Sequence, residues 1–176
     1  MYPFAASVAT SFVRDGVVSL GNYALVYRLY RQDVTFTLGV AAAGLAITVL
    51  AGVPVCGYLR VRAFAPVEFL LKVPLFVPFV VVGHAMRVFL APHGTLNVIL
   101  IPLGIFNPDQ PPSLASSWVG LALALAWKHL ALAALLFLGA FRAVDEAYLE
   151  AARNFGAGVL RQTKDILVPM AAPSIA

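Results

Sequence analysis

Three ionisable side chains interrupt apolar stretches of this 176-residue chain, and they are the first candidates for chemistry. Lys128 and His129 lie in the middle of one apolar segment, and His84 lies in the middle of another. A charge near the centre of a bilayer costs about 2.5–3.5 kcal/mol on insertion scales, so Lys128 is expected to face a pathway or a partner. We take the three residues as candidates for a translocation path. The alternatives are packing contacts within a helix bundle or at a dimer interface, and His84 fits a hydrogen-bonded helix contact.

The sequence does not offer the residue sets of common catalytic or metal sites. Its single cysteine, Cys56, lies in an apolar run, which favours a core position and excludes an intramolecular disulfide. No cysteine and histidine spacing indicates a metal site. No glycine-rich phosphate loop with Lys followed by Ser or Thr is present, and no Ser/His/Asp set is convincing. We therefore predict a chain that is not an enzyme and that binds neither a metal nor a cofactor.

A second group of candidate residues lies in a polar stretch that follows the last long apolar segment. Asp145 and Glu146 can cap and charge the start of a short helix, and Gly156 and Gly158 can end it, with a glycine in a left-handed cap position. The pattern predicts a short amphipathic helix that starts near Asp145, suited to contact with another protein. A helix lying on lipid is the alternative, but its polar face would be rich in Lys and Arg, and this one is mixed.

The composition indicates a membrane protein. The chain is 61% hydrophobic and 11% charged, whereas soluble domains average about 45–50% apolar and about 25% charged residues. A globule of this size cannot hide so much apolar surface, so the bilayer must be its solvent. The formal net charge of +4 is too small and too scattered to indicate nucleic-acid binding.

Three segments are long enough to cross a bilayer, at about residues 36–59, 67–90 and 118–141. Pro54 is expected to kink the first, and Pro74 and Pro78 to bend or locally unwind the second. Small residues in the first suit close helix contacts. The stretch 95–106 is too short to cross and is expected to be interfacial or re-entrant. The fold class predicted is an all-α, polytopic transmembrane helix bundle.

The distribution of basic residues predicts the topology. Lys and Arg are absent from the Pro-rich loop at 92–117 and are concentrated at the first connection and after the third span. By the positive-inside rule, the first connection and the C-terminal segment are cytoplasmic, and the Pro-rich loop is outside. Residues 1–35 then lie outside, which Arg14, Arg28 and Arg31 do not favour.

The polar stretch carries a motif that resembles the signature loop of ABC importer permeases, the membrane subunits that work with substrate-binding proteins. The family pattern is Glu-Ala-Ala, three residues, Gly, nine residues, Ile, one residue, Leu-Pro. At those spacings this chain has Glu150, Ala151, Ala152, Gly156, Ile166 and Pro169. The single departure is Val168 in place of Leu. The resemblance extends over roughly residues 8–176, including the stretches Gly52–Arg60 and Gly94–Asn97.

The resemblance implies a fold, a function and partners. The fold is that of an importer permease in the cell inner membrane, with the loop 142–169 forming a cytoplasmic coupling helix and its flanks. The coupling helix, from about Asp145 to Ala157, would dock in a groove of a cytoplasmic ATP-binding-cassette ATPase, where ATP is hydrolysed, and the six motif residues are the ones assigned to this coupling. Other expected partners are a second permease subunit, identical or different, and an extracytoplasmic substrate-binding protein. Polyamine, iron and sugar remain open as substrates.

The same resemblance implies more spans than the chain contains. The apolar run from residue 170 is expected to be a span that stops early, and Met1–Phe12 resembles the tail of a preceding span. The expectation is one permease domain over 1–176 from a fragment, a mispredicted gene product or one piece of a split permease. Two other classes stay open, a secondary transporter or channel piece, and a membrane assembly protein without transport.

Overall fold

A computed structural model of the chain describes residues 2–14 and 16–175. Met1, Asp15 and Ala176, which the predicted single domain includes, lie outside the described residues. Contacts divide the chain into two compact units, residues 1–39 and residues 40–176, and each is described by itself. The single domain over 1–176 stays a prediction.

The described residues are largely helical, and the prediction of an all-α bundle is confirmed. In chain order the elements are α1 (Tyr2–Ser11), β1 (Val13–Arg14), β2 (Val17–Val18), α2 (Gly21–Arg62), α3 (Ala65–Phe76), α4 (Phe79–Phe89), α5 (Thr95–Leu100), α6 (Trp118–Arg142), α7 (Glu146–Asn154), α8 (Val159–Gln162), a π-helical turn (Thr163–Leu167) and α9 (Val168–Ile175).

The first unit is a helix and a small antiparallel hairpin packed at the start of α2. Val13 pairs with Val18 in the hairpin, and Gly16 forms its turn at φ +79°. The Asn22 side-chain amide donates to the carbonyls of Ser11 and Val13, at 3.0 Å each. These bonds join the end of α1 and the hairpin to α2, because they satisfy carbonyls that have no partner within α1.

Two helices, α2 and α6, are each long and apolar enough to cross a membrane among the described residues. The predicted spans 36–59 and 118–141 lie within them. Helix α2 begins at Gly21, well before the predicted span, because Arg28, Arg31 and Gln32 are good helix formers and do not end a helix. Pro54 lies inside α2, which continues to Arg62. Large side chains on these helices, such as Leu50 at 75% exposure, face outward.

The second predicted span, 67–90, consists of two helices joined by a sharp bend. The helix axis bends by 113° between α3 and α4, and taken together the two helices would form a third crossing. The break lies at Val77, which has an extended backbone, with Pro74 before it and Pro78 after it. Neither proline can donate a backbone hydrogen bond, so the bending predicted from these prolines is confirmed.

Glycines on one face of α2 allow the second unit to pack closely. A Cβ at Gly52 would lie 3.0 Å from the Phe137 ring of α6, and a Cβ at Gly57 would lie 2.2 Å from Thr163 Oγ1. The core behind these contacts contains Cys56, Leu59, Ala134, Phe137, Leu138, Phe141, Val144, Leu149, Leu167 and Ala171. Side chains from α2, α6, α7, the π-helical turn and α9 therefore share one core.

The loop between α4 and α6 is organised by one buried side chain. The amide of Asn97, in α5, donates to the carbonyls of Ala91, Pro92 and Pro112, at 2.9–3.2 Å. The same loop contains a turn in which the Asp109 N–H donates to Asn107 Oδ1 at 2.9 Å. Helix α5 is only 6 residues long and cannot cross a bilayer.

Gly57→Ala is expected to destabilise the chain, and Gly139→Ala is the matched control. The new Cβ at position 57 would overlap Thr163, and overpacking of this kind costs about 1–3 kcal/mol. No atom lies within 4 Å of a Cβ at Gly139 in α6, so alanine there should add about 0.5–1 kcal/mol through helix propensity. Thermal unfolding of both variants in detergent measures the difference, and equal midpoints would contradict the close contact.

Candidate functional site

Helix α7 carries the first part of the signature motif, and its start is capped as predicted. The Asp145 side chain accepts a hydrogen bond from the Ala147 N–H at 3.0 Å. Glu146 lies in the first turn, where a negative charge interacts favourably with the positive end of the helix dipole. The sequence therefore fixes where α7 begins through one local hydrogen bond and one local charge.

The end of α7 gives a physical reason for part of the motif's spacing. The Ala157 N–H donates to the Ala152 carbonyl, and the Gly156 N–H donates to the Arg153 carbonyl, both at 2.9 Å. These are the two bonds of a Schellman motif, in which the residue after the helix has a left-handed backbone. Gly156 is that residue, at φ +76°. In a Schellman motif the left-handed residue lies four positions after the residue whose carbonyl accepts the longer bond, which is the spacing between Ala152 and Gly156.

One apolar side chain of α7 fixes which face the helix presents. Leu149 is 0% exposed and packs in the core with Leu59, Phe141 and Leu167. Because neighbouring residues of a helix point about 100° apart, burial of Leu149 turns Glu150 and Ala151 outward. Both are exposed.

Arg60, at the end of α2, holds the turn between α6 and α7. Its Nε donates to the Phe141 carbonyl at 2.9 Å, and its Nη2 donates to the Val144 carbonyl at 3.0 Å. Its Nη1 pairs with the Glu146 carboxylate at 2.5 Å, and Arg153 pairs with the other oxygen of that carboxylate. One guanidinium thus satisfies carbonyls at the end of α6 and the acid at the start of α7. We call Arg60, Glu146 and Arg153 the arginine clamp.

The clamp sets the protonation of its acid. The hydrogen bond from Arg60, followed by the charges of Arg60 and Arg153, lowers the pKa of Glu146 below its ordinary value of 4.5. A carboxyl whose pKa is lower in the folded chain stabilises that fold above the ordinary value. The stabilisation by Glu146 is therefore present above pH 4.5 and is lost as the pH falls through the lower folded pKa.

The second half of the motif lies on a continuous helical stretch with a π-helical turn at its centre. Gln162 is buried, and its Nε2 donates to the Ala157 carbonyl at 2.6 Å, which ties α8 to the end of α7. Ile166 is half-buried against the core, whereas Pro169 is exposed near the start of α9. The π-helical turn directly precedes the turn of Pro169, which has no N–H for a regular helical bond.

The motif residues therefore divide between an outer surface and a supporting layer. Glu150, Ala151, Gly156 and Pro169 are exposed, while Ala152 and Ile166 are half-buried. Large apolar side chains of the same stretch are exposed as well: Tyr148, Phe155 and Leu160 are 54%, 89% and 73% exposed. We call Tyr148, Glu150, Ala151, Phe155 and Leu160 the α7 surface. Its mix of apolar and charged groups suits contact with a protein.

The three path candidates do not meet at one point. The Lys128 ammonium lies 5.2 Å from the centroid of the Phe79 ring, and the His129 ring lies 5.9 Å from it. His84 instead lines a separate groove that includes Arg87 and Gly120. Each histidine Nδ1 contacts the carbonyl one turn earlier on its own helix, at 2.7 Å for His129 and 3.0 Å for His84. The translocation path stays a prediction for all three residues.

Glu68 joins two helices through its carboxylate. It pairs with Lys72 one turn along α3, at 2.8 Å, and with Arg142 at the end of α6, at 2.7 Å. The basic ends of α2 and α6 therefore both pair with acids in this unit. Residues 2–14 and 16–175 contain no group of three or more His, Cys, Asp or Glu placed to hold a metal ion.

The curated proteins to which this chain is similar in sequence are named as permeases. The chain is 26% identical to the spermidine/putrescine transport system permease protein PotB of Haemophilus influenzae, over 99% of this chain and 64% of the relative. It is 28% identical to the protein of the same name from Escherichia coli, over 94% of this chain and 60% of the relative. The chain thus spans 60–64% of the length of these curated relatives. No protein-family model matches it.

Solved structures show the same fold. A bacterial ABC transporter involved in the import of the acidic polysaccharide alginate has a chain that aligns with a TM-score of 0.67 and 17% identity. The alignment covers 99% of this chain and 63% of that one. A complex of a bacterial alginate ABC transporter with a periplasmic protein aligns with a TM-score of 0.52. The resemblance to ABC importer permeases is confirmed, and the relatives are named as permeases and not as enzymes.

Arg60→Met is expected to loosen α7, with Arg62→Met as the matched control. The substitution leaves the Phe141 and Val144 carbonyls and the Glu146 carboxylate without the guanidinium. Hydrogen bonds to charged groups contribute about 1.5–3 kcal/mol, so unfolding should become easier by about that amount. Hydrogen exchange should rise across α7 in Arg60→Met and stay unchanged when the exposed Arg62 is replaced. Unchanged exchange in α7 would show that the clamp does not hold it.

Proposed function

We propose that the chain is a membrane permease subunit of an ATP-driven importer and that its α7 surface docks on a cytoplasmic ATPase. The observation that carries the proposal is the division of the signature motif. Glu150 and Ala151 face outward from a helix whose opposite side is fixed in the core by Leu149. A surface that another protein pushes must be exposed on one side and firmly attached on the other, and α7 has both properties.

The attachments of α7 suggest how a push would be transmitted. Leu149 packs on side chains of α2, α6 and the π-helical turn. The arginine clamp adds a charged connection from α7 to the end of α2. Displacement of α7 would therefore move the ends of α2 and α6 with it, because breaking these contacts costs more than moving them together. ATP-driven closure of two ATPases could in this way rock two permease subunits between inward and outward states.

The proposed assembly contains four kinds of component in the inner membrane and on its two sides. The chain would supply one permease subunit, and a second permease subunit, identical or different, would complete the pathway. The ATPase would bind from the cytoplasm, where the basic ends of the spans are expected. A substrate-binding protein would deliver the solute from outside. The path residues Lys128, His129 and His84 belong to this proposal as candidates.

A polyamine is the proposed cargo. The relatives named as polyamine permeases match nearly the whole chain. A lysine with an unengaged ammonium in the pathway would repel a polyamine, but Lys128 Nζ is hydrogen-bonded to the carbonyls of Pro74, Leu75 and Val77. The positive charge is therefore directed at backbone oxygen atoms, which removes the main electrostatic objection to a cationic solute.

Uptake of labelled spermidine into vesicles that contain the complete transporter tests the cargo. We expect ATP-dependent uptake that unlabelled putrescine suppresses and alginate oligosaccharide leaves unchanged, because the two competitors carry opposite charges. If only the oligosaccharide suppresses spermidine uptake, the proposed cargo is wrong and an acidic sugar takes its place. Uptake that continues without ATP would instead favour a secondary transporter or channel.

The coupling role is tested with Glu150→Lys in the complete permease, against Asp109→Lys as the matched control. Both changes reverse one exposed charge, but Asp109 lies in the loop between α4 and α6, away from the α7 surface. Reversing a charge at an interface should weaken ATPase binding about tenfold, which corresponds to about 1.4 kcal/mol. Co-purification and uptake should fall for Glu150→Lys alone, while both variants stay in the membrane.

Two substitutions of Gly156 test whether coupling depends on the backbone conformation at the end of α7. Gly156→Val places a β-branched residue at φ +76°, whereas Gly156→Asn introduces a residue that tolerates this conformation. We expect uptake to be lost with valine and largely retained with asparagine. Normal uptake and ATPase co-purification in Glu150→Lys and in Gly156→Val would together overturn the coupling role.

A further inference from the structure

The break between α3 and α4 leaves backbone oxygen atoms that the two helices satisfy only in part. The last carbonyls of a helix lack their regular partners within it. Pro78 cannot donate to the Pro74 carbonyl as a regular residue would, so within this segment that carbonyl accepts only a long bond from the Val77 N–H, at 3.3 Å. The chain turns by 113° at this point, in a segment that is apolar on both sides. In an apolar medium each such unsatisfied group is costly.

The ammonium of Lys128 fills this position from the neighbouring helix α6. Its Nζ lies 2.6 Å from the Pro74 oxygen, 2.5 Å from the Val77 oxygen and 3.4 Å from the Leu75 oxygen. The Phe79 ring lies 5.2 Å away, at the start of α4. An ammonium has three N–H donors, and the site offers three acceptors and an aromatic face. A positive charge is also favourable at the C-terminal end of a helix such as α3.

We infer that the break is a primary-ammonium site built from main-chain carbonyls, and that Lys128 is the positioning residue that fills it and fixes the angle between α3 and α4. The cost of a charged residue in an apolar helix and the cost of the unsatisfied carbonyls are removed by the same contact. The inference does not depend on transport, on the cargo or on the α7 surface.

The neighbouring residue provides a matched comparison. His129 also lies near Phe79, but its Nδ1 contacts the Leu125 carbonyl of its own helix rather than the break. Substituting His129 therefore removes a polar side chain at the same depth without touching the three carbonyls. The two positions separate a specific ammonium contact from a general effect of polarity in α6.

The angle can be measured with spin labels at Phe69→Cys and Val88→Cys, both on exposed residues of α3 and α4, in the chain with Cys56→Ala reconstituted in lipid nanodiscs. The parent should give one narrow distance distribution. In Lys128→Ala the distribution should be about twofold broader, because a break without its partner populates more than one angle. His129→Ala should match the parent.

Chemical rescue distinguishes hydrogen bonding from charge and from folding. n-Propylammonium replaces the part of the side chain that Lys128→Ala removes, and it should restore the narrow distribution. Tetramethylammonium carries the same charge without any N–H donor and should not. A parent-like distribution in Lys128→Ala, an equal broadening in His129→Ala, or equal rescue by both ions would each overturn the inference.

Lys128→Arg keeps the measurement decisive if the alanine variant does not fold. The guanidinium retains the charge, but its planar fork cannot aim three N–H groups from one nitrogen at three oxygens. We expect a distribution broader than the parent's in a chain that still reconstitutes. A distribution equal to the parent's would show that charge alone is sufficient, and the tripodal ammonium site would be wrong.

Discussion

The contact between Arg60 and the turn that joins α6 to α7 is the interaction on which the arrangement of the α7 surface depends. Arg60 meets two carbonyls, and its partner Glu146 opens the helix. The side chain of Arg60 is 14% exposed, so its charge interacts with these groups with little competition from water. Leu149 adds the apolar half of the attachment. Together they make α7 part of the core's outer layer and not a loose loop.

Lys128 and Arg60 use the same physical device at two places in the second unit. In each case a long basic side chain leaves one helix and satisfies main-chain carbonyls at the end of another, Arg60 at α6 and Lys128 at α3. The C-terminal end of a helix carries partial negative charge and unpaired oxygens, so a cation there is attracted to the charge and donates to the oxygens in one contact. Such contacts suit a protein in lipid, where no water is present to form hydrogen bonds with the carbonyls at helix ends.

Features that depend on neighbouring residues were predictable from the sequence. Asp145 as a cap, Gly156 in a left-handed conformation and the bend near Pro74 and Pro78 follow from local backbone chemistry, and the structure has all three. The apolar segments likewise gave the helices that contain the predicted spans.

Features that depend on distant residues were not predictable from one sequence. Arg60 and Glu146 are 86 positions apart, and Lys128 is 54 positions from Pro74. The sequence marks Lys128 as unusual because it interrupts an apolar segment, but nothing in the chain's pattern indicates the partners of either basic residue. The early start of α2 is a different case, because an apolar pattern locates only the part of a helix that can cross a bilayer, whereas Arg28 and Arg31 favour helix without being apolar.

The hydrogen bonds that end α7 have a consequence for how permeases of this shape can differ from one another. Both are made by main-chain atoms, so Asn154 and Phe155, between Ala152 and Gly156, take no part in closing the turn through their side chains. Both side chains are exposed. Their identities can change without altering where the helix stops. The position of the helix end and the chemistry of the surface beside it are thus set by different atoms, and each can vary without the other within the same few residues.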